Sequence, residues 1–157
     1  MRKQKIYLES TMFNYYFDED RDAHIATVRL FNSIAEKYDA YTSVYVIAEL
    51  QKASPEKYSK MVALIEQFNI QVFALDREAE QLADVYVEQG IIPLRYRLDG
   101  IHIAVAAVHD LDIIVSMNFE HIVKLKTKIM TEHVNALKGY RAVAICTPQE
   151  VSDYENS

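Results

Sequence analysis

Lys5-Ile6-Tyr7-Leu8-Glu9-Ser10-Thr11 is the stretch on which the reading of this chain turns. A short apolar run ends at once in a carboxylate and two hydroxyls. A buried strand that delivers a polar group to the edge of a sheet has this pattern. In an open α/β sheet, ligands sit just beyond the carboxyl ends of the strands. Glu9 is therefore the first candidate for a working group. A surface glutamate, with Ser10 or Thr11 capping the next helix, accounts for the local pattern about as well. The decision rests on whether distant segments send matching groups to the same edge.

The bulk numbers bound the answer. A chain of 157 residues, half of them apolar and a quarter charged, is expected to form one domain over residues 1–151 with an ordinary core and a polar tail over 152–157. No apolar run is long enough to span a bilayer, and the basic start Met1-Arg2-Lys3-Gln4 leads into too short an apolar run for a signal peptide. With one cysteine, Cys146, no disulfide forms within the chain, and a small hydrophobe in a strand is the plain account of it. A cytoplasmic location is the default. The net charge of −6 argues against coating nucleic acid by bulk electrostatics, but it leaves room for a small basic groove beside an acidic site.

Outward from the first strand, strands alternate with helices. Strands are expected near 5–8, 41–44, 70–75, 112–116 and 142–146. Helices are expected near 11–16, 23–38, 45–53, 55–68, 77–89, 99–109 and 125–138, with a short closing turn after Thr147. Asp22, Ser54 and Asp76 are expected as N-caps, with Gly90 and Gly139 at helix ends. The charge run at 17–22 lacks the glycine and ligand spacing of a calcium loop and reads as a solvated loop. The strands are short and continuously apolar. That predicts an α/β fold of three layers, α/β/α, with a short central parallel sheet of about five strands.

Four groups then fall at one edge of the sheet: Glu9 after the first strand, Glu49 in the helix after the second, Asp99 opening a helix that is oily nearly all round, and Asn118 just past the fourth strand. A carboxylate leading an oily helix is costly unless it is capped or paired, although an N-cap role would satisfy Asp99 with no function at all. Converging oxygen donors suit a hard cation, Mg²⁺ or Mn²⁺, rather than zinc. A metal held on one side by carboxylates keeps waters on the other, and one such water can attack a phosphodiester.

Four motifs carry a resemblance: Ile6-Tyr7-Leu8-Glu9-Ser10-Thr11 with Phe13-Asn14; Ala48-Glu49-Leu50; Leu98-Asp99-Gly100-Ile101-His102-Ile103-Ala104; and Ile114-Val115-Ser116-Met117-Asn118-Phe119, followed by a late Gly139-Tyr140. In this order the chain resembles the PIN domain, the nuclease fold of many toxin–antitoxin ribonucleases, over nearly its whole length. The resemblance implies a metal-dependent ribonuclease whose Glu9, Glu49, Asp99 and Asn118 hold Mg²⁺ or Mn²⁺. It places Ser116 in the hydroxyl position beside Asn118, and Glu9 and Asn118 stand where Asp is usual. It further implies an RNA substrate, a small antitoxin partner if the chain is a toxin, and a homodimer.

Around these residues, Ser10, Asn14 and His102 are supporting candidates. His102, one turn after Asp99, reads as a packing histidine bonded to the site or as a base. Asn14 could orient Glu9, or cap, or face solvent. Tyr15 and Tyr16 read as core or rim aromatics. Lys124, Lys126 and Lys128, with Arg95 and Arg97, are the basic clusters, a solvated face or a hold on an RNA backbone. His121 and His133 have no assigned role. The rival reading is a catalytically weakened module that binds or assembles. A metal phosphatase is disfavoured, since no Asp-x-Asp pair follows the first strand.

Overall fold

In the computed structural model, which describes residues 2–156, the sheet is built on the opening stretch. Strand β1 (Gln4–Leu8) is central in the order β3-β2-β1-β4-β5, and each neighbouring pair is parallel. Ile6, Tyr7 and Leu8 are fully buried, as a strand covered on both faces requires. On one side lie β2 (Tyr38–Ser43) and the edge strand β3 (Gln71–Phe73). On the other lie β4 (Ile113–Val115) and β5 (Ala144–Cys146). The chain therefore reverses direction across the sheet between β1 and β4, and the crevice beyond their carboxyl ends is where such a fold takes ligands.

Helices α1 (Ser10–Phe17), α2 (His24–Lys37), α3 (Val44–Leu50), α4 (Pro55–Gln67) and α8 (Pro148–Glu155) pack into one group. Helices α5 (Arg77–Glu88), α6 (Arg97–Val108) and α7 (Leu125–Leu137) form the other. With the sheet they make the three layers expected from the alternation. Ser54 and Asp76 cap α4 and α5 as read from the sequence, and Gly90 and Gly139 take the left-handed conformation (φ 73° and 85°) that lets the chain leave α5 and α7. Among the described residues no helix is long and apolar enough to cross a membrane.

Four expectations are corrected. Strand β2 begins at Tyr38, three residues early, because Gln4 and Lys5 of β1 find parallel partners in Tyr38 and Asp39. Asp22 does not cap α2. Ala23 holds that position without a side-chain bond, and the His24 ring meets the Tyr15 carbonyl at 2.8 Å instead. Helix α6 begins at Arg97, after a 3₁₀ turn (Leu94–Tyr96), so Asp99 lies inside its first turn and is not its cap. The tail expected over 152–157 is, as far as Glu155, the body of α8. A capping box between Thr147 and Glu150 starts that helix, and Glu155 ends it on the Tyr38 hydroxyl and the Lys37 ammonium. Ser157 lies outside the described residues, as does Met1.

Candidate active site

Glu9 follows β1 directly and is 2% exposed. Its Oε1 accepts from the Thr11 backbone amide (3.2 Å) and hydroxyl (2.6 Å), which makes it the N-cap of α1, and from the Ser116 hydroxyl at the end of β4 (2.6 Å). Three donors thus fix the orientation of one carboxylate. Burial pushes its carboxyl above the usual range, and the nearby His102 charge and the two hydroxyls offset this only in part.

Glu49 arrives from α3, whose start is capped by Ser43. Its Oε1 accepts from Ser10 Oγ (2.5 Å) and from His102 Nε2 (2.5 Å). Burial would raise it, but the bond and charge of His102, the Ser10 hydroxyl and the Lys52 ammonium outweigh burial and hold it below the ordinary carboxylate value. The His102 ring is completely buried. Its Nδ1 meets the Tyr7 hydroxyl (2.7 Å), which in turn meets Ser43 Oγ (2.7 Å). Burial alone would favour the neutral ring, yet Glu49, Glu9 and Asp99 together raise its pKa. A continuous chain of hydrogen bonds, buried except at the half-buried Glu49, therefore runs Ser43, Tyr7, His102, Glu49, Ser10.

Ligand atoms of Glu9, Glu49 and His102 lie within 4.8 Å of one another. Both ring nitrogens of His102 are already engaged, so the donors left to a cation are carboxylate oxygens. That set fits a hard cation such as Mg²⁺ or Mn²⁺. Asp99 stands outside the tight triad, 9% exposed, one turn before His102 on α6. Burial raises its carboxyl; the His102 charge, the Asn118 amide and the His121 charge pull it back in part.

Asn118 holds two neighbours at once. Its side chain is near enough to the Asp99 carboxylate to hold that group's pKa down, while its Oδ1 accepts the His121 backbone amide (3.0 Å) and its own backbone amide donates to Ser116 Oγ (2.9 Å). Ser116 and Asn118 thus tie Glu9 and Asp99 to the one loop that leaves β4. Asn14 does not reach Glu9. It donates to the Ser10 carbonyl (3.1 Å), one turn back on its own helix. Tyr16 packs edge-on against Phe17, Phe31 and Phe68.

The basic residues do not act as one cluster. Arg97 pairs with Asp84 (2.6 Å) on α5, Lys126 donates to the Gly90 carbonyl (2.9 Å), and Lys128 faces Glu150. Arg95 has no carboxylate partner among the described residues and sits over the Tyr96 ring, 5.5 Å from its centre. Two contributors escape a linear reading. Tyr7 looks like any apolar strand residue. His121 shows no helical or strand pattern, and its Nε2 is the one buried side-chain polar atom without a hydrogen-bond partner among the described residues. Such a group costs about 1–3 kcal/mol until it is satisfied.

No family model matches the chain, and no curated protein is significantly similar to it in sequence. Its fold does recur in solved structures. One is VapBC2 from Rickettsia felis bound to a DNA fragment from its promoter, with a TM-score of 0.58 at 13% identity, covering 92% of this chain and 98% of that one. Another is VapC20 from Mycobacterium tuberculosis, a sarcin–ricin loop cleaving toxin, with a TM-score of 0.56 at 13% identity, covering 88% and 98%. At this identity the shared property is the fold.

Proposed function

We propose that this PIN-fold chain is a metal-dependent endoribonuclease. The observation that carries the reading is the cluster of Glu9, Glu49 and His102, whose ligand atoms lie within 4.8 Å of one another; Asp99, one turn before His102, and Asn118 are proposed to complete the site. Buried carboxylates gathered this closely repel one another, and each pays a desolvation cost that a cation offsets. Glu9 and Glu49, with Asp99 beside them, would hold Mg²⁺ or Mn²⁺. Such a cation supplies an activated water and screens the charge that builds on phosphorus.

The rest is the work of the chain's own residues. Thr11 and Ser116 fix Glu9, His102 and Ser10 fix Glu49, and Asn118 fixes Asp99, so the acidic groups are held before substrate arrives. Lys52 by Glu49, and Arg95 over the Tyr96 ring, offer positive charge to an RNA backbone. A toxin role, with a small antitoxin covering this crevice, and a homodimeric state belong to the same proposal.

The test is RNA cleavage with Mn²⁺, with EDTA, and with Asp99→Ala. Chelation should abolish cleavage and the substitution should lower it at least about a hundredfold. Activity that survives both rules the mechanism out. One observation favours a second reading, a weakened module that binds without cutting: Glu9 Oε1 already has three protein donors. Calorimetric titration with Mn²⁺ separates the two, since a non-catalytic module shows no binding at millimolar metal.

A further inference from the structure

Beside the Asp99 end of the crevice lies a small face that the acidic chemistry leaves unused. Its centre is the Tyr96 ring, three residues before Asp99. The His121 ring lies against it, with centres 4.1 Å apart and planes tilted by 31°, and the Arg95 guanidinium sits over it. Phe119, in the chain between Asn118 and His121, is 55% exposed. This face is joined to the crevice at two points. The His121 backbone amide is bonded to Asn118 Oδ1 (3.0 Å), and both residues are near enough to Asp99 to hold its pKa down.

Three features of this face lack an explanation in the fold itself. Arg95 is an exposed cation with no carboxylate partner among the described residues, and its guanidinium is held over an aromatic ring instead. Phe119 is a large aromatic left in solvent. His121, 9% exposed, keeps an orphaned Nε2 that stops 3.6 Å short of Glu120 Oε1, too far for a hydrogen bond. An exposed guanidinium, an exposed aromatic ring and an imidazole laid against Tyr96 together match one kind of ligand: a nucleotide, whose base stacks and whose phosphate takes the cation.

We infer that the Arg95–Tyr96–Phe119–His121 face is the subsite for the nucleotide that flanks the scissile phosphate of a single-stranded RNA. The inference rests on the nuclease reading, and it adds where the substrate lies. Phe119 stacks on the base. Arg95 meets the adjoining phosphate, and Tyr96 and His121 back it.

The experiment uses the full chain and a short labelled mixed-sequence single-stranded oligoribonucleotide. Binding is followed by fluorescence anisotropy in EDTA across a salt series, and cleavage is followed in Mn²⁺. Arg95→Ala should weaken binding about tenfold and make the plot of log affinity against log salt shallower by about 0.7, one phosphate contact on a single strand. Phe119→Ala should weaken binding about tenfold with the salt slope unchanged, and Phe119→Trp should recover it. Both side chains are solvent-facing, so melting temperatures near that of the unaltered chain confirm that the variants fold. The inference is overturned if the unaltered chain does not bind the oligonucleotide, or if both variants bind with its affinity and slope, as they would were the face a docking site for a protein. Binding that depends on Arg95 and Phe119 without cleavage in Mn²⁺ keeps the subsite and removes the nuclease reading. Cleavage that ignores both substitutions keeps the nuclease and removes the subsite.

Discussion

At the scale of single residues, Glu9 is the N-cap of α1 and, in the proposed function, also a metal-holding carboxylate. Oε1 caps α1 and takes the Ser116 hydroxyl, which leaves the second oxygen to the crevice. Glu9→Asp withdraws the carboxylate by about a bond length and strands two hydroxyl donors, and the expected cost is about 1–3 kcal/mol. Urea unfolding of the two proteins in EDTA measures it, and equal stability would show that the three bonds to Oε1 are incidental. The carboxylates themselves were legible in the sequence, because strand ends and an oily helix pick out Glu9 and Asp99. Of their supports, Ser10, His102 and Ser116 were legible beside the motifs and the rest were not. Tyr7, Ser43 and His121 enter the site only through contacts between segments far apart in the chain, and no periodicity announces such contacts.

At the scale of elements, the site depends on how closely α6 can lie on α5, since α6 carries both Asp99 and His102. Gly100 makes that approach possible. A Cβ there would meet Ile92 Cδ1 at 3.3 Å, Tyr86 Cδ2 at 3.5 Å and Ala83 Cβ at 3.7 Å. Gly100→Ala gains about 1 kcal/mol of helix propensity and asks only the tip of Ile92 to yield, so its stability should stay within about 1 kcal/mol of the parent. Gly100→Val has no such room and should cost about 1–3 kcal/mol by overpacking, with a matching loss of order at Asp99. Chemical denaturation of both variants checks the pair, and a tolerated valine would mean that α5 and α6 are not closely held. Caps made the starts of α4 and α5 legible, since Ser54 and Asp76 act locally. The start of β2 and the body of α8 were not, because the partners of Tyr38 and Glu155 lie in other elements. Thr147→Ala tests the α8 assignment: it removes half of the capping box and should lower stability by about 1 kcal/mol. A frayed terminal segment would register no loss.

At the scale of the whole molecule, the crevice makes stability depend on pH and cation together. Glu9, Asp99 and His102 all have their pKa raised on folding, from 4.5, 3.8 and 6.5 in the free groups. A raised group holds its proton more tightly in the native state. Its contribution is fully present below the unfolded value and is lost as pH climbs through the folded one. Glu49 has the opposite sign: its lowered pKa stabilises above 4.5, and that stability is lost as pH falls through its folded value. In neutral solution Glu49 is therefore constant, and the raised groups, the His102 ring among them, set the sign of the dependence. Metal-free protein should melt at a lower temperature at pH 8.5 than at pH 6, and each kcal/mol so lost moves the midpoint by about 2–4 °C in a chain of this size. His102→Gln should flatten that dependence, because the neutral amide has no proton to release. Mn²⁺ should raise the midpoint more at pH 8.5 than at pH 6, since the cation competes less with protons for the carboxylates as pH rises. Calorimetry of the two proteins at both pH values, with and without Mn²⁺, makes the comparison. A metal increment independent of pH, or a pH slope that persists in His102→Gln, would show that the buried carboxylates are balanced by something other than this ring and a divalent ion.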